Sequence, residues 1–139
     1  MVGCLHDEID DDDIIVGHSN GCAIAYDLLM TGVLCRGLVL INGALRRDIQ
    51  LPTGLDFCHI YYNAGDTITE LAAFGAAANL VDQNWGSMGH FGYLGNDPRV
   101  LNTDCGNTAG MPVVSGHSAI FSYPLWEQYI ADKVKGALS

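Results

Sequence analysis

Ile14-Ile15-Val16-Gly17-His18-Ser19-Asn20-Gly21 is the stretch on which the fold turns. Three β-branched residues in a row stop at a glycine, which reads as a short buried strand. Beyond the turn, Cys22 to Met30 carries apolar side chains at 24, 25, 28 and 29, the spacing of one helical face. Gly32 supplies a natural helix stop. A strand therefore runs into residues 17–21 and a helix runs out of them.

The same alternation continues outward. Gly37-Leu38-Val39-Leu40-Ile41 is a second buried strand, ending at Asn42-Gly43, and residues 44–56 form a polar connection with Pro52 and Gly54. Phe57-Cys58-His59-Ile60-Tyr61-Tyr62 is a third strand, ending at Asn63-Ala64-Gly65-Asp66. Thr67–Val81 is alanine-rich and reads as a helix, with Thr67 or Thr69 as its cap and Glu70 in its first turn. Residues 83–110 are rich in Gly, Asn and Asp and form a long excursion with room for a hairpin. Met111-Pro112-Val113-Val114 reads as a fourth strand running into Ser115-Gly116-His117. Pro124–Leu138 reads as a closing helix, proline in its first turn, with Leu125, Trp126, Tyr129, Ile130, Val134 and Leu138 apolar. Buried strands alternating with helices predict an α/β fold: a small, mostly parallel sheet of about four strands with helices on both faces. One domain over residues 1–139 accommodates all of this, led by an acidic arm at 1–13.

Composition narrows the function. Of 139 residues, 49% are hydrophobic and 16% charged, enough apolar material for a sizeable core and too much for a disordered chain. Six Lys and Arg stand against sixteen Asp and Glu, a net charge of −10, which repels nucleic-acid phosphates and anionic membrane surfaces. The apolar runs fall far short of the ~20 residues a spanning helix needs. The acidic run Asp10–Asp13 stands where a secretory signal would be apolar. The cysteines, Cys4, Cys22, Cys35, Cys58 and Cys105, are odd in number, irregularly spaced and without a CxxC pair. They read as reduced thiols in a cytoplasmic protein, with Cys22, Cys35 and Cys58 as core filler and no metal or cofactor site. Asn96, Asp97, Asn102 and Asp104 lack the spacing of a calcium loop and read as turn residues.

Gly17-His18-Ser19-Asn20-Gly21 is a G-x-S-x-G between a strand and a helix, the context in which a serine sits on a sharp, strained turn above the sheet. Gly17 and Gly21 are expected to let that turn pack close to its neighbours. The helix N-terminus beneath Ser19 favours developing negative charge. A serine nucleophile needs a base, and the base an orienting acid. Asp66 follows the third predicted strand and His117 the fourth, so Ser19, Asp66 and His117 all fall at strand C-termini, where open parallel sheets build their sites.

Here the chain resembles the α/β-hydrolase superfamily, in IIVGHSNG (14–21), GLVLING (37–43), IYYNAGDTIT (60–69) and VVSGHSAIF (113–121), and in the order Ser, Asp, His. The resemblance runs over nearly everything after Asp13. It implies Ser19 as nucleophile, His117 as general base and then acid, Asp66 as the residue holding the imidazole, and the backbone N–H of Asn20 as one oxyanion donor. It implies hydrolysis of an ester, thioester or amide of a small acyl substrate through an acyl-enzyme, without a cofactor. The chain departs from the family at its start. About four strands normally precede the elbow strand, and the loop that supplies the second oxyanion N–H comes with them; only thirteen residues precede Ile14 here. Losing one such donor costs roughly 10²–10³ in rate. The elbow strand becomes an apolar edge, which the arm or a second subunit has to cover; a symmetric homodimer on that side is the preferred expectation, and a truncated piece of a longer hydrolase is a third.

Each residue also has a plainer reading. Ser19 fits a strand–helix turn that binds nothing, Asp66 an N-cap or turn aspartate, His117 a loop histidine. Glu70 is the reserve acid, and His90, in Trp85-Gly86-Ser87-Met88-Gly89-His90-Phe91-Gly92, the reserve base. His18 reads as structural support beside the serine, while His6 and His59 have no role. Trp85, Met88, Phe91 and Tyr93 fit either a lid over an acyl pocket or a satellite apolar cluster pinning the loop. A catalytically silent, hydrolase-like binding or assembly module is therefore the alternative function.

Overall fold

The computed structural model describes residues 8–71 and 85–139. Strands β1 (Ile14–His18), β2 (Gly37–Ile41), β3 (Phe57–Tyr62) and β4 (Val100–Asp104) form one sheet in the order β1-β2-β3-β4. Every neighbouring pair is parallel, in registers such as Val16 with Val39, Val39 with His59, and Ile60 with Asn102. Parallel neighbours need crossovers that cover both faces, and the burial follows. β2 is buried along its whole length, whereas β1 and β4 are the edges.

Side chains alternate across the sheet and divide the core in two. Leu38, Leu40, Cys58 and Ile60 face helix α1 (Asn20–Met30), which contributes Cys22, Ala23, Ala25, Tyr26 and Leu29. Val39, Ile41, Phe57 and Tyr61 face the other way, onto helix α3 (Pro124–Leu138). Trp126 anchors α3: it is fully buried, and its indole N–H donates to the Pro112 carbonyl at 2.8 Å. Truncating a core aromatic of this kind costs about 3–5 kcal/mol. Leu125 points away from this face and is exposed. Gly32 ends α1 as expected, at φ 96°.

Two expectations fail in residues 83–114. The excursion, read as having room for a hairpin, holds other elements among its described residues. It contains a short helix, α2 (Met88–Phe91), and β4 itself. Met111–Val114 is not a strand. Pro112 has no N–H to give, Val113 is exposed, and the Val114 N–H donating to the Cys105 carbonyl at 3.0 Å is the contact that ties the segment to the end of β4. The real fourth strand is disguised by Asn102 and Asp104. On an edge strand such polar residues need no apolar partner, and Asn102 instead pairs both backbone groups of Tyr93, at 3.1 and 3.0 Å.

Three of the excursion's four apolar residues, Trp85, Met88 and Tyr93, belong to the main core and not to a satellite cluster. Met88 is fully buried in the cluster that includes α1, and Trp85 and Tyr93 pack against the same cluster. Phe91 alone of the four is exposed, with the Arg47 guanidinium 5.2 Å from its ring centre. The helix expected over 67–81 is present at residues 67–71; the remainder lies outside the described residues, as do Cys4, His6 and the start of the arm. Residues 10–13 form a tight turn, and the Asp13 carbonyl accepts the Arg36 N–H at 2.8 Å.

Candidate active site

Ser19 takes φ 56° and ψ −124°, a conformation that non-glycine residues rarely adopt. Three backbone hydrogen bonds hold it there. Its N–H donates to the Ile41 carbonyl, and its own carbonyl accepts the N–H groups of Cys22 and Ala44, each at 3.1 Å. The turn is packed against its own helix as well. A Cβ at Gly17 would stand 2.9 Å from backbone atoms of Gly21 and Cys22. The expectation that Gly21 is needed for the same reason is not met, since a Cβ there meets nothing within 4 Å. Gly21 already lies in the first turn of α1, pointing outward, and the close approach is all on the strand side.

Asp66 sits beyond the C-terminal end of β3 and is wholly buried. A buried carboxylate has to be paired, and this one has three donors. Its Oδ1 accepts the Thr69 N–H at 3.2 Å and lies 2.8 Å from His117 Nδ1, while its Oδ2 accepts from Asn42 Nδ2 at 3.0 Å. Asp66 therefore makes two kinds of contact at once. Asp66, not Thr67 or Thr69, caps the helical turn at 67–71, and it also faces the imidazole.

His117 closes the chain of contacts. Its Nε2 lies 2.7 Å from Ser19 Oγ, across 98 residues of sequence. A carboxylate only accepts, so the His117 proton belongs on Nδ1 and Nε2 is left to accept the serine hydroxyl. Ser19, His117 and Asp66 thus stand in one line of hydrogen bonds, with Ser19 partly accessible and Asp66 sealed. No family model, no curated protein and no solved structure matches this chain.

The reserve residues lie elsewhere. His90 Nδ1 is 3.1 Å from the backbone carbonyl of Asp66 and 3.9 Å from Glu70 Oε2, so it braces the acid's main chain from behind. Glu70 is more than half exposed and does not reach the line of contacts. The backbone N–H of Asn20 opens α1, where first-turn donors have no intrahelical acceptor. His18 supports the site: its Nε2 donates to the His117 carbonyl at 3.1 Å, and its ring lies 5.0 Å from those of His117 and Phe121. Among the described residues no group of three His, Cys, Asp or Glu side chains is arranged to hold a metal ion.

Three residues of this site were missed in the sequence. Asn42 adopts φ 46°, which asparagine tolerates, and thereby aims its amide at Asp66. Gly89 presses its backbone onto the acid; a Cβ there would be 2.6 Å from Asp66 Oδ2. Asn63 joins the Asp66 turn to the loop before His117, accepting the Gly116 N–H at 3.0 Å and donating to the Gly116 carbonyl at 3.1 Å. The available signal was position: Asn42 and Asn63 both follow strands directly.

Among the described residues the thiols make no contact with Ser19, His117 or Asp66. Burial pushes Cys22, behind the turn, up to about 12, and does the same to Cys58 and Cys105. Such thiols are inert as nucleophiles at neutral pH.

Proposed function

We propose that this chain is a small serine hydrolase of esterase or thioesterase type, related to the α/β-hydrolase superfamily. The observation that carries the reading is the unbroken line Ser19 Oγ–His117 Nε2 at 2.7 Å and His117 Nδ1–Asp66 Oδ1 at 2.8 Å, on a serine held at φ 56°. Ser19 after β1, Asp66 after β3 and His117 from an irregular loop converge in the geometry that proton transfer requires.

In this reading His117 Nε2 takes the Ser19 proton as Oγ attacks the acyl carbonyl. The Asn20 N–H and the α1 N-terminus stabilise the oxyanion. Collapse of the tetrahedral species expels the alcohol or thiol, which leaves with the proton from His117. Water, deprotonated by the same imidazole, then releases the acid and restores Ser19. Asp66 holds the ring and stabilises its charged form throughout. No step calls for a metal or cofactor. The proposed partner is a small acyl substrate, with neither nucleic acid nor membrane; among the described residues no helix is long and apolar enough to cross a membrane.

The test is labelling by a fluorophosphonate, read by intact mass. The parent gains one phosphonyl group and Ser19→Ala gains none. A folded parent that stays unlabelled removes the hydrolase reading.

One observation favours the alternative, a silent binding or assembly module. β1, which carries the turn, is an edge strand with Val16 63% exposed. We propose a second copy as its cover, since an open apolar edge promotes pairing. Light scattering on the purified chain decides this: a dimer mass supports it and a monomer removes it.

A further inference from the structure

We propose that Asn63 is a positioning residue, whose side-chain amide sets the distance between His117 and Asp66. The inference rests on the hydrolase reading above for its effect on rate, though not for its effect on the His117 hydrogen bond.

Residues 115–118, which carry His117, belong to no helix or strand. Something other than secondary structure must fix them to within a few tenths of an ångström. Asn63 is 1% exposed and makes five hydrogen bonds. Its Oδ1 accepts the N–H groups of Gly65 at 3.1 Å and Gly116 at 3.0 Å, and its Nδ2 donates to the Gly116 carbonyl at 3.1 Å. Its backbone N–H donates to the Gly89 carbonyl, and its carbonyl accepts the Asp66 N–H, both at 3.0 Å. The amide thus pairs both backbone groups of Gly116 as a neighbouring strand would, one residue before the imidazole. Its main chain meanwhile closes the turn that presents Asp66.

The contact is close as well as polar. A Cβ at Gly65 would fall 2.1 Å from Ser115 Oγ and 2.8 Å from the Gly116 nitrogen, so the His117 loop lies directly on the Asp66 turn. Gly116 meets the amide with φ 119°, open to glycine and strained for other residues. From the serine side, His18 Nε2 donates to the His117 carbonyl of the same loop. Asn63 sets the acid side of the imidazole and His18 the serine side. The amide is suited to this because it donates and accepts at once; a carboxylate lacks the donor and a hydroxyl lacks the reach.

The two functions of Asn63 separate by substitution. In Asn63→Ser the hydroxyl still accepts the Gly65 N–H two residues on, as serine does in such turns, but reaches neither group of Gly116. Asn63→Ala loses both. The measurements are the rate of fluorophosphonate labelling across the neutral pH range, the far-downfield proton resonance of His117 Nδ1–H, and the thermal midpoint. Displacement of about 1 Å costs on the order of a hundredfold in rate. We expect about that loss in Asn63→Ser, with the downfield proton broadened or absent and the melting transition close to the parent's. A folded Asn63→Ser that labels at the parent rate and keeps the downfield proton overturns the proposal. If the parent itself is not labelled, the hydrolase reading fails separately. The downfield proton then decides Asn63 alone: loss in Asn63→Ser supports the positioning role, and retention overturns it. If Asn63→Ala does not fold, the serine variant carries the test.

Discussion

Ser19 and His117 meet at one point, but they are held there by different means. The Ser19 turn is built from backbone. A strand, a glycine and the first turn of α1 bend Ser19 into place, and its hydrogen bonds run to main-chain atoms of Ile41, Cys22 and Ala44. The His117 loop has no such frame. It is held by side chains, Asn63 on Gly116 across 53 residues of sequence and His18 on the His117 carbonyl across 99. A backbone-built turn follows from residues that are neighbours in the chain. A side-chain-built loop depends on residues that become neighbours only once the sheet has formed.

The largest effect expected separates the two histidines of this region. His117→Ala should lower labelling and turnover by about 10⁴-fold or more, as removal of a triad base does. His90→Ala, whose imidazole meets the Asp66 carbonyl and not Ser19, should change them by less than about tenfold. Equal losses would remove the distinction drawn between the two histidines.

The two motif glycines sharpen the backbone side of the comparison. Gly17→Ala forces a Cβ to 2.9 Å from the backbone of α1, an overpacking that should cost about 1–3 kcal/mol or more. Gly21→Ala has open space and gains helix propensity of up to about 1 kcal/mol. Chemical denaturation of the two variants reads the difference, and equal destabilisation would refute the one-sided packing.

Asn42→Ala tests the side-chain means of holding the acid. It removes a donor from a wholly buried carboxylate, which should cost about 1–3 kcal/mol, besides placing alanine at φ 46°. Asn42→Gly relieves the backbone part and retains the loss of the donor. If Asn42→Gly is as stable as the parent, the contact with Asp66 contributes nothing.

The smallest effect lies away from the site. Burial, assisted by Lys133, holds His59 below the ordinary imidazole range, and its Nδ1 has no partner among the described residues. The unfolded chain binds that proton more readily than the folded one. Stability from this group is therefore complete above the ordinary value of about 6.5 and declines as pH falls below it. His59→Phe should flatten the acid limb of the stability curve, and an unchanged slope between neutral and mildly acid pH would remove His59 as the cause.

How much of this was legible follows the same division. β1, α1, β2, β3 and α3 were readable because each is a run of apolar residues with one period and a local stop. Ser19 and Asp66 could be placed because each directly follows a strand of that kind. β4 was hidden by Asn102 and Asp104, whose turn chemistry outweighed five residues of edge strand, and Met111–Val114 was favoured in its place. His117 was placed on the wrong support for that reason, although the residue itself was the right one to bring to Ser19.

The sequence by itself determined the parallel α/β layering and the strained serine between a strand and a helix, since periodicity and a glycine at a tight turn act over a few residues. Only the tertiary structure decided which histidine meets that serine, which residue caps the helix after β3, and that two buried asparagines hold the acid and the loop. Those outcomes depend on hydrogen bonds between chain segments that hydrophobic burial has first to bring together. A buried amide has no short-range signature until the backbone it pairs with has arrived.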